Sequence, residues 1–206
     1  MTEPLVHIEG LSRRFGTALA LDGVAADIPA GRVTGLVGPD GAGKTTLIRL
    51  LAGLLLPDGG VLSVCGLDPV RQAERLHEAV GYMPQRFGLY EDLTVGENMA
   101  LHADLRGVTG AERKAAFARL ERFTGLGPFM DRLAGRLSGG MKQKLGLACA
   151  LIKVPRLLLL DEPSVGVDPM SRRELWRMVQ ELVGQGIGVL WSTAYLDEAE
   201  RCDGML

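Results

Sequence analysis

Three groups of residues in this chain have the types and spacing for phosphate chemistry. Gly38, Pro39, Asp40, Gly41, Ala42, Gly43, Lys44 and Thr45 fit G-x-x-x-x-G-K-[ST] without a gap. Glycines let a backbone turn its N–H groups inward around phosphate oxygens, and the helix start that follows adds unpaired donors and partial positive charge. Lys44 then suits the terminal phosphates and Thr45 suits Mg²⁺, with Thr46 next in the helix. In the second group, Asp161 and Glu162 follow four consecutive leucines. That pattern brings two carboxylates out at the C-terminal edge of a buried parallel strand, where open α/β sheets bind ligands. Asp161 suits a water-mediated hold on Mg²⁺, and Glu162 suits a general base acting on an attacking water. The plainer alternative makes Asp161 a turn cap before Pro163. The third group is Leu137, Ser138, Gly139, Gly140 and Met141, which alone also reads as an ordinary turn and helix cap.

The elements needed to hold these groups are legible around them. Val33–Val37 reads as a buried strand entering the glycine loop, and Leu47, Ile48, Leu50, Leu51 and Leu54 recur at helical spacing after it. Further strands are expected at residues 5–8, 25–28, 61–65, 80–83, 157–160 and 187–192. Helices are expected at residues 95–105 and 111–123, joined by a turn at 107–110, then after Gly140 through Leu151 and at residues 170–183. No internal repeat or low-complexity segment interrupts this order.

With these motifs in this order, the chain resembles the ATP-binding cassette (ABC) superfamily over essentially all of its 206 residues. The resemblance implies an α/β P-loop fold: a RecA-like parallel core sheet, an N-terminal antiparallel β subdomain and an inserted helical subdomain. It implies one cassette over residues 1–206, with core 1–86 and 153–206 and helical subdomain about 87–152. In that family the signature, here Ser138, Gly139 and Gly140, caps the γ-phosphate held by the P-loop of a second cassette. Gln85 corresponds to the Q-loop glutamine, which contacts Mg²⁺ and the attacking water. Residues 164–169 resemble the D-loop, which crosses the interface between cassettes. Phe15 stands at the aromatic position that stacks on adenine, although a lone phenylalanine in an N-terminal strand also reads as core. The expected cofactors are ATP and Mg²⁺.

The chain departs from the pattern at three positions. Ala194 stands where the family usually carries a histidine that contacts the γ-phosphate, and none of His7, His77 or His102 lies near enough in sequence to replace it. Loss of a transition-state contact of that kind costs on the order of 10²-fold in turnover. Met141 replaces the usual signature glutamine, and Asp40 replaces the usual loop asparagine, bringing a negative charge close to the phosphates.

Composition narrows the partners. With 23 Lys and Arg against 25 Asp and Glu, the net charge is −2, so no global basic surface argues for direct contact with nucleic acid. Arg71 and Arg75, or Arg172 and Arg173, read as solvated helix faces. Cys65, Cys149 and Cys202 lack metal spacing and an even count for disulfides, which fits reduced thiols. No signal peptide or apolar run of membrane-spanning length is present. A place at the cytoplasmic face of the membrane therefore has to come through a permease partner. The sequence around Leu89, Tyr90 and Leu93, and from Tyr195 to Glu200, resembles bacterial exporter ATPases of the drug and sodium type. Those apolar residues fit either a receptor for a membrane-domain helix or a shielded loop anchor. The other function class is a soluble ABC ATPase acting on ribosomes or DNA. The short interval from Gln85 to Ser138 leaves no room for a long coiled coil, and a ribosome factor normally carries two cassettes and a linker. A tandem exporter with this as its first cassette would account for Ala194. The end at Leu206 suggests a piece of a longer polypeptide.

Overall fold

A computed structural model describes residues 3–85 and 88–206. Strands β3 (Val33–Val37), β5 (Val80–Met83), β6 (Leu157–Leu160), β7 (Gly188–Thr193) and the short β8 (Gly204–Met205) form one parallel sheet in the order β5-β6-β7-β3-β8. The leucine run of β6 exists because both faces of the sheet are covered. Leu158 and Leu160 pack in one apolar cluster with Met99, Leu145 and Trp191. Leu157 and Leu159 pack in the other with Ile8, Ile48 and Leu190. All four are fully buried, each worth roughly 1.5–3 kcal/mol relative to exposure.

A separate antiparallel sheet contains β1 (Val6–Phe15), β2 (Ala18–Ile28) and β4 (Gly59–Val64), in the order β2-β1-β4. Its first two strands run well beyond the expected residues 5–8 and 25–28. Their outer halves are largely exposed, and register shifts after Ile8, Leu11 and Arg13 break the alternation that would mark them in sequence.

Helix α1 (Lys44–Leu51) stops before the expected Leu54. Gly53 adopts φ 70°, Leu54 N–H donates to Arg49 O at 2.8 Å, and Gly53 N–H donates to Leu50 O at 3.0 Å, a Schellman close. Helix α2 (Ala73–Ala79) was not expected, since it is short and buries only Leu76. The remaining helices lie close to their expected bounds: α3 (Val95–Leu105), α4 (Gly110–Thr124), α5 (Gly139–Ala150) and α6 (Pro169–Gly184), followed by the short α7 (Leu196–Ala199). Thr94 and Glu97 start α3 with a reciprocal capping box. The three helices α3, α4 and α5 lie between β5 and β6 in the chain. The expected boundary at residues 86 and 87 lies outside the described residues.

Asn98 decides the loop before α3. Fully buried, it accepts from Tyr90 N–H at 2.9 Å and donates to the carbonyls of Tyr90, Leu93 and Thr94. Leu89 packs against the core, while Tyr90 is 53% exposed. This segment is an anchored loop. A cleft of about 470 Å³ lies among Leu54, Tyr82, His102, Leu105 and Arg106, away from the glycine loop.

Candidate functional site

The glycine loop joins the C-terminal edge of β3 to α1. Gly43, with φ 93°, is the residue before the helix, and a Cβ there would lie 2.5 Å from Ala20 O of β2. Only glycine allows that backbone conformation and approach together. Ala20, Asp40, Gly41, Gly43, Lys44, Thr45, Thr46, Gln85 and Glu162 line a cleft of about 270 Å³ over the loop. Gly38 and Pro39 contribute their carbonyls, which accept from Lys44 Nζ at 2.7 and 3.0 Å. Ala42 lines an apolar hollow behind the loop with Leu21 and Leu47.

The strand end of β6 meets this loop across the sheet. Lys44 Nζ lies 3.0 Å from Glu162 Oε1, and both side chains are almost fully buried. Gln85 Nε2 donates to Glu162 Oε2 at 2.8 Å. Glu162 itself has φ 50°, an uncommon conformation for a residue with a side chain, held by the donation of its N–H to Ser192 Oγ at 2.8 Å. Thr45 Oγ1 and Ser192 Oγ both donate to Asp161 Oδ1, at 3.1 and 3.0 Å. Asp161 Oδ2 is buried without a hydrogen-bond partner. Burial pushes the Asp161 carboxyl above the ordinary range, a rise that the Thr45 and Ser192 hydroxyls oppose and the neighbouring Glu162 charge reinforces.

Five of the residues expected from sequence, Lys44, Thr45, Gln85, Asp161 and Glu162, are therefore brought together. Ser192 was missed as a site residue. It sits at the C-terminal end of β7, beside β6, and its position at a strand end was the available signal. Ala194 follows β7 and is exposed, with no side chain to reach a ligand. The adjacent Thr193 hydroxyl donates to Glu198 Oε2 at 2.7 Å and accepts from Tyr195 N–H at 3.0 Å.

Ser138, Gly139 and Gly140 do not line the cleft. Ser138 is the exposed N-cap of α5 and accepts from Met141 N–H at 3.3 Å. Gly139 and Gly140 pack against the segment after β6: a Cβ at Gly139 would lie 3.2 Å from Gly166 O, and one at Gly140 would lie 2.5 Å from Ser171 Cβ. Phe15 is 46% exposed, with the Arg13 guanidinium 4.9 Å from its ring centroid, so it is not a core residue. It pairs with Ala18 at the end of the hairpin whose second strand borders the cleft at Ala20.

A family model described as "ABC transporter" matches residues 21–165. The chain belongs to the ABC transporter family. Among ABC proteins, it is 62% identical over 208 residues to "Probable multidrug ABC transporter ATP-binding protein YbhF" of Escherichia coli, covering 100% of this chain and 36% of that protein. It is 41% identical over 202 residues to "Daunorubicin/doxorubicin resistance ATP-binding protein DrrA" of Streptomyces peucetius, covering 97% of this chain and 61% of that one. The chain thus spans between about one-third and three-fifths of the length of these ABC relatives. A solved ATP-binding subunit of an ABC transporter matches with TM-score 0.86 at 32% identity, covering 98% of this chain and 85% of that chain. The α/β cassette fold expected from the motifs is the fold of the family. Among the described residues, no helix is long and apolar enough to cross a membrane.

Proposed function

We propose that this chain is the ATP-binding and hydrolysing motor of an exporter, working against a second cassette and docked on a membrane permease. The observation that carries the reading is the convergence of Lys44 and Gln85 on the Glu162 carboxylate, beside the Thr45–Asp161 pair. ATP phosphates replace the Gly38 and Pro39 carbonyls as partners of Lys44, and the loop N–H groups take the remaining oxygens. Lys44 is then drawn away from Glu162, which leaves that carboxylate, oriented by Gln85, to accept the proton of the attacking water. Water adds to the γ-phosphorus as the bond to the ADP oxygen breaks, giving ADP and phosphate.

The free Oδ2 of Asp161 suits a hard divalent cation, which prefers oxygen ligands and makes a buried carboxylate worth keeping. Thr45, Asp161 and Gln85 would hold Mg²⁺, whose chemistry there is to screen the phosphate charge. Phe15 offers an exposed ring for the adenine. In this reading Ser138, Gly139 and Gly140 complete a second cassette's site, as the family pattern implies, and their position outside their own cleft supports it. Ala194 leaves this chain's own site without the usual histidine, so the reading favours an asymmetric pair. The 36% coverage of the Escherichia coli relative leaves room in a protein of that length for the second cassette.

The residues 88–152 act in this reading as the helical subdomain, and the cleft at Leu54, Tyr82, His102 and Leu105 receives the permease. Leu105 at 74% and Leu54 at 52% exposure supply its apolar rim. Localisation at the cytoplasmic face of the membrane follows from that contact. Affinity purification from membranes tests the proposal: recovery of a multi-span membrane protein with the chain is expected, and recovery with ribosomes in its place would overturn the exporter reading.

A further inference from the structure

The sequence reading put Arg172 on a solvated helix face, and the structure places it otherwise. Arg172, in the first turn of α6, is only partly exposed. Its Nε donates to Val167 O at 2.9 Å, and its guanidinium carbon lies 5.1 Å from the centroid of the Tyr195 ring. One planar cation therefore grips the segment after Glu162 by a backbone carbonyl and the segment after β7 by an aromatic face. Neighbouring contacts hold both sides. Asp168 accepts from Met170 and Ser171 N–H, both at 3.0 Å. Tyr195 N–H donates to Thr193 Oγ1, Thr193 Oγ1 donates to Glu198 Oε2, and Trp191 Nε1 donates to the same oxygen at 3.1 Å. Arg173, next to Arg172, remains exposed.

We infer that Arg172 is a positioning residue: through Tyr195 it ties the 164–168 loop to the Ala194 segment, so that the two move together when nucleotide draws a second cassette onto this face. The inference rests on the proposed ATP-driven pairing. Its physical content is a shared constraint. Ala194 has no side chain that can hold a phosphate, and its position is set by its neighbours. Tyr195 is the neighbour that reaches α6. A lysine cannot reproduce the link, because it has no planar fork to donate sideways to a carbonyl while lying flat on a ring.

The protein carries its own reporters. Its two tryptophans, Trp176 on α6 and Trp191 on β7, meet edge to face at 5.1 Å across the elements that Arg172 links. The test is a titration of the paired assembly with MgATP, following tryptophan fluorescence together with affinity for a fluorescent ATP analogue. Wild type, Arg172→Lys, Arg172→Ala, Tyr195→Phe and Tyr195→Leu are compared. Wild type and Tyr195→Phe should give the same fluorescence change. Arg172→Lys, Arg172→Ala and Tyr195→Leu should lose about two- to fivefold of it, the population shift that one partly exposed cation–π contact supplies, with analogue affinity falling by no more than that factor. An unaltered fluorescence change in Arg172→Ala and Tyr195→Leu would overturn the inference, as would a wild type that binds the analogue with no change at all. Should Arg172→Ala fail to fold, the contrast between Tyr195→Phe and Tyr195→Leu decides. A wild type that does not bind the analogue refutes the ATP-site reading instead, so the two failures are distinct.

Discussion

Lys44 Nζ stands 3.0 Å from Glu162 Oε1, so the cation that suits the terminal phosphates is paired with the carboxylate that suits the attacking water. Glu162→Gln keeps the shape and removes the charge. Lys44 then has no anion to leave, and the phosphates meet one negative charge fewer. MgATP affinity should rise, while turnover in the paired assembly should fall about 10²–10⁴-fold, the usual contribution of a general base. Equilibrium binding and steady-state hydrolysis measured on the same preparation check both signs. Unaltered turnover would remove Glu162 from the proton transfer.

Asp161 ties stability and metal affinity to pH in opposite senses. Its carboxyl is raised by burial, so the folded chain holds a proton that the unfolded chain releases. Stability is therefore fully present below the ordinary carboxylate value and is lost as pH rises through the raised one. Mg²⁺ needs the deprotonated form, so the Mg²⁺ dependence of ATP binding should strengthen over the same interval. Thermal denaturation of wild type and Asp161→Asn from about pH 4 to about pH 7 should show a falling contribution in wild type alone. Parallel curves would contradict this assignment.

Ala194 is exposed just after β7, two residues beyond Ser192, whose hydroxyl donates to Asp161. Restoring an imidazole with Ala194→His should raise hydrolysis in the paired assembly by on the order of tenfold or more, with little effect on MgATP affinity. Initial-rate measurements at saturating MgATP check this. No increase would mean that the alanine carries no catalytic deficit.

Gly140 is required by packing within this chain. A Cβ there would stand 2.5 Å from Ser171 Cβ and overlap the Ser171 hydroxyl. Gly140→Ala should cost about 1–3 kcal/mol of stability as an overpacking substitution. Ser171→Gly in the same background should return part of it, giving a non-additive cycle in denaturant unfolding.

The strands Val33–Val37, Val80–Met83 and Leu157–Leu160 were legible to the residue: the last is a continuous apolar run, and the first two end directly at Gly38 and Pro84. The β1–β2 hairpin was only half legible, since its outer part is exposed and its bulges erase the alternation. At the site, Lys44 and Thr45 could be named from the glycine-loop motif, Asp161 and Glu162 from the end of the leucine strand, and Gln85 from the family resemblance alone. Ser192 had only its strand-end position as a signal, and the carboxylate and amide its hydroxyl bridges depend on sheet order, which no local pattern encodes. Arg172 was misread for the same reason: its partners, Val167 and Tyr195, come from segments before and after its own helix.

The central claim is that the loop around Lys44 binds MgATP, and titration calorimetry of MgATP into the wild-type chain and Lys44→Ala tests it most directly. The account predicts saturable binding to one site in wild type, weakened about tenfold or more in Lys44→Ala by loss of a charge-assisted phosphate contact. Absence of saturable binding in wild type, or equal affinity in the two proteins, would contradict it.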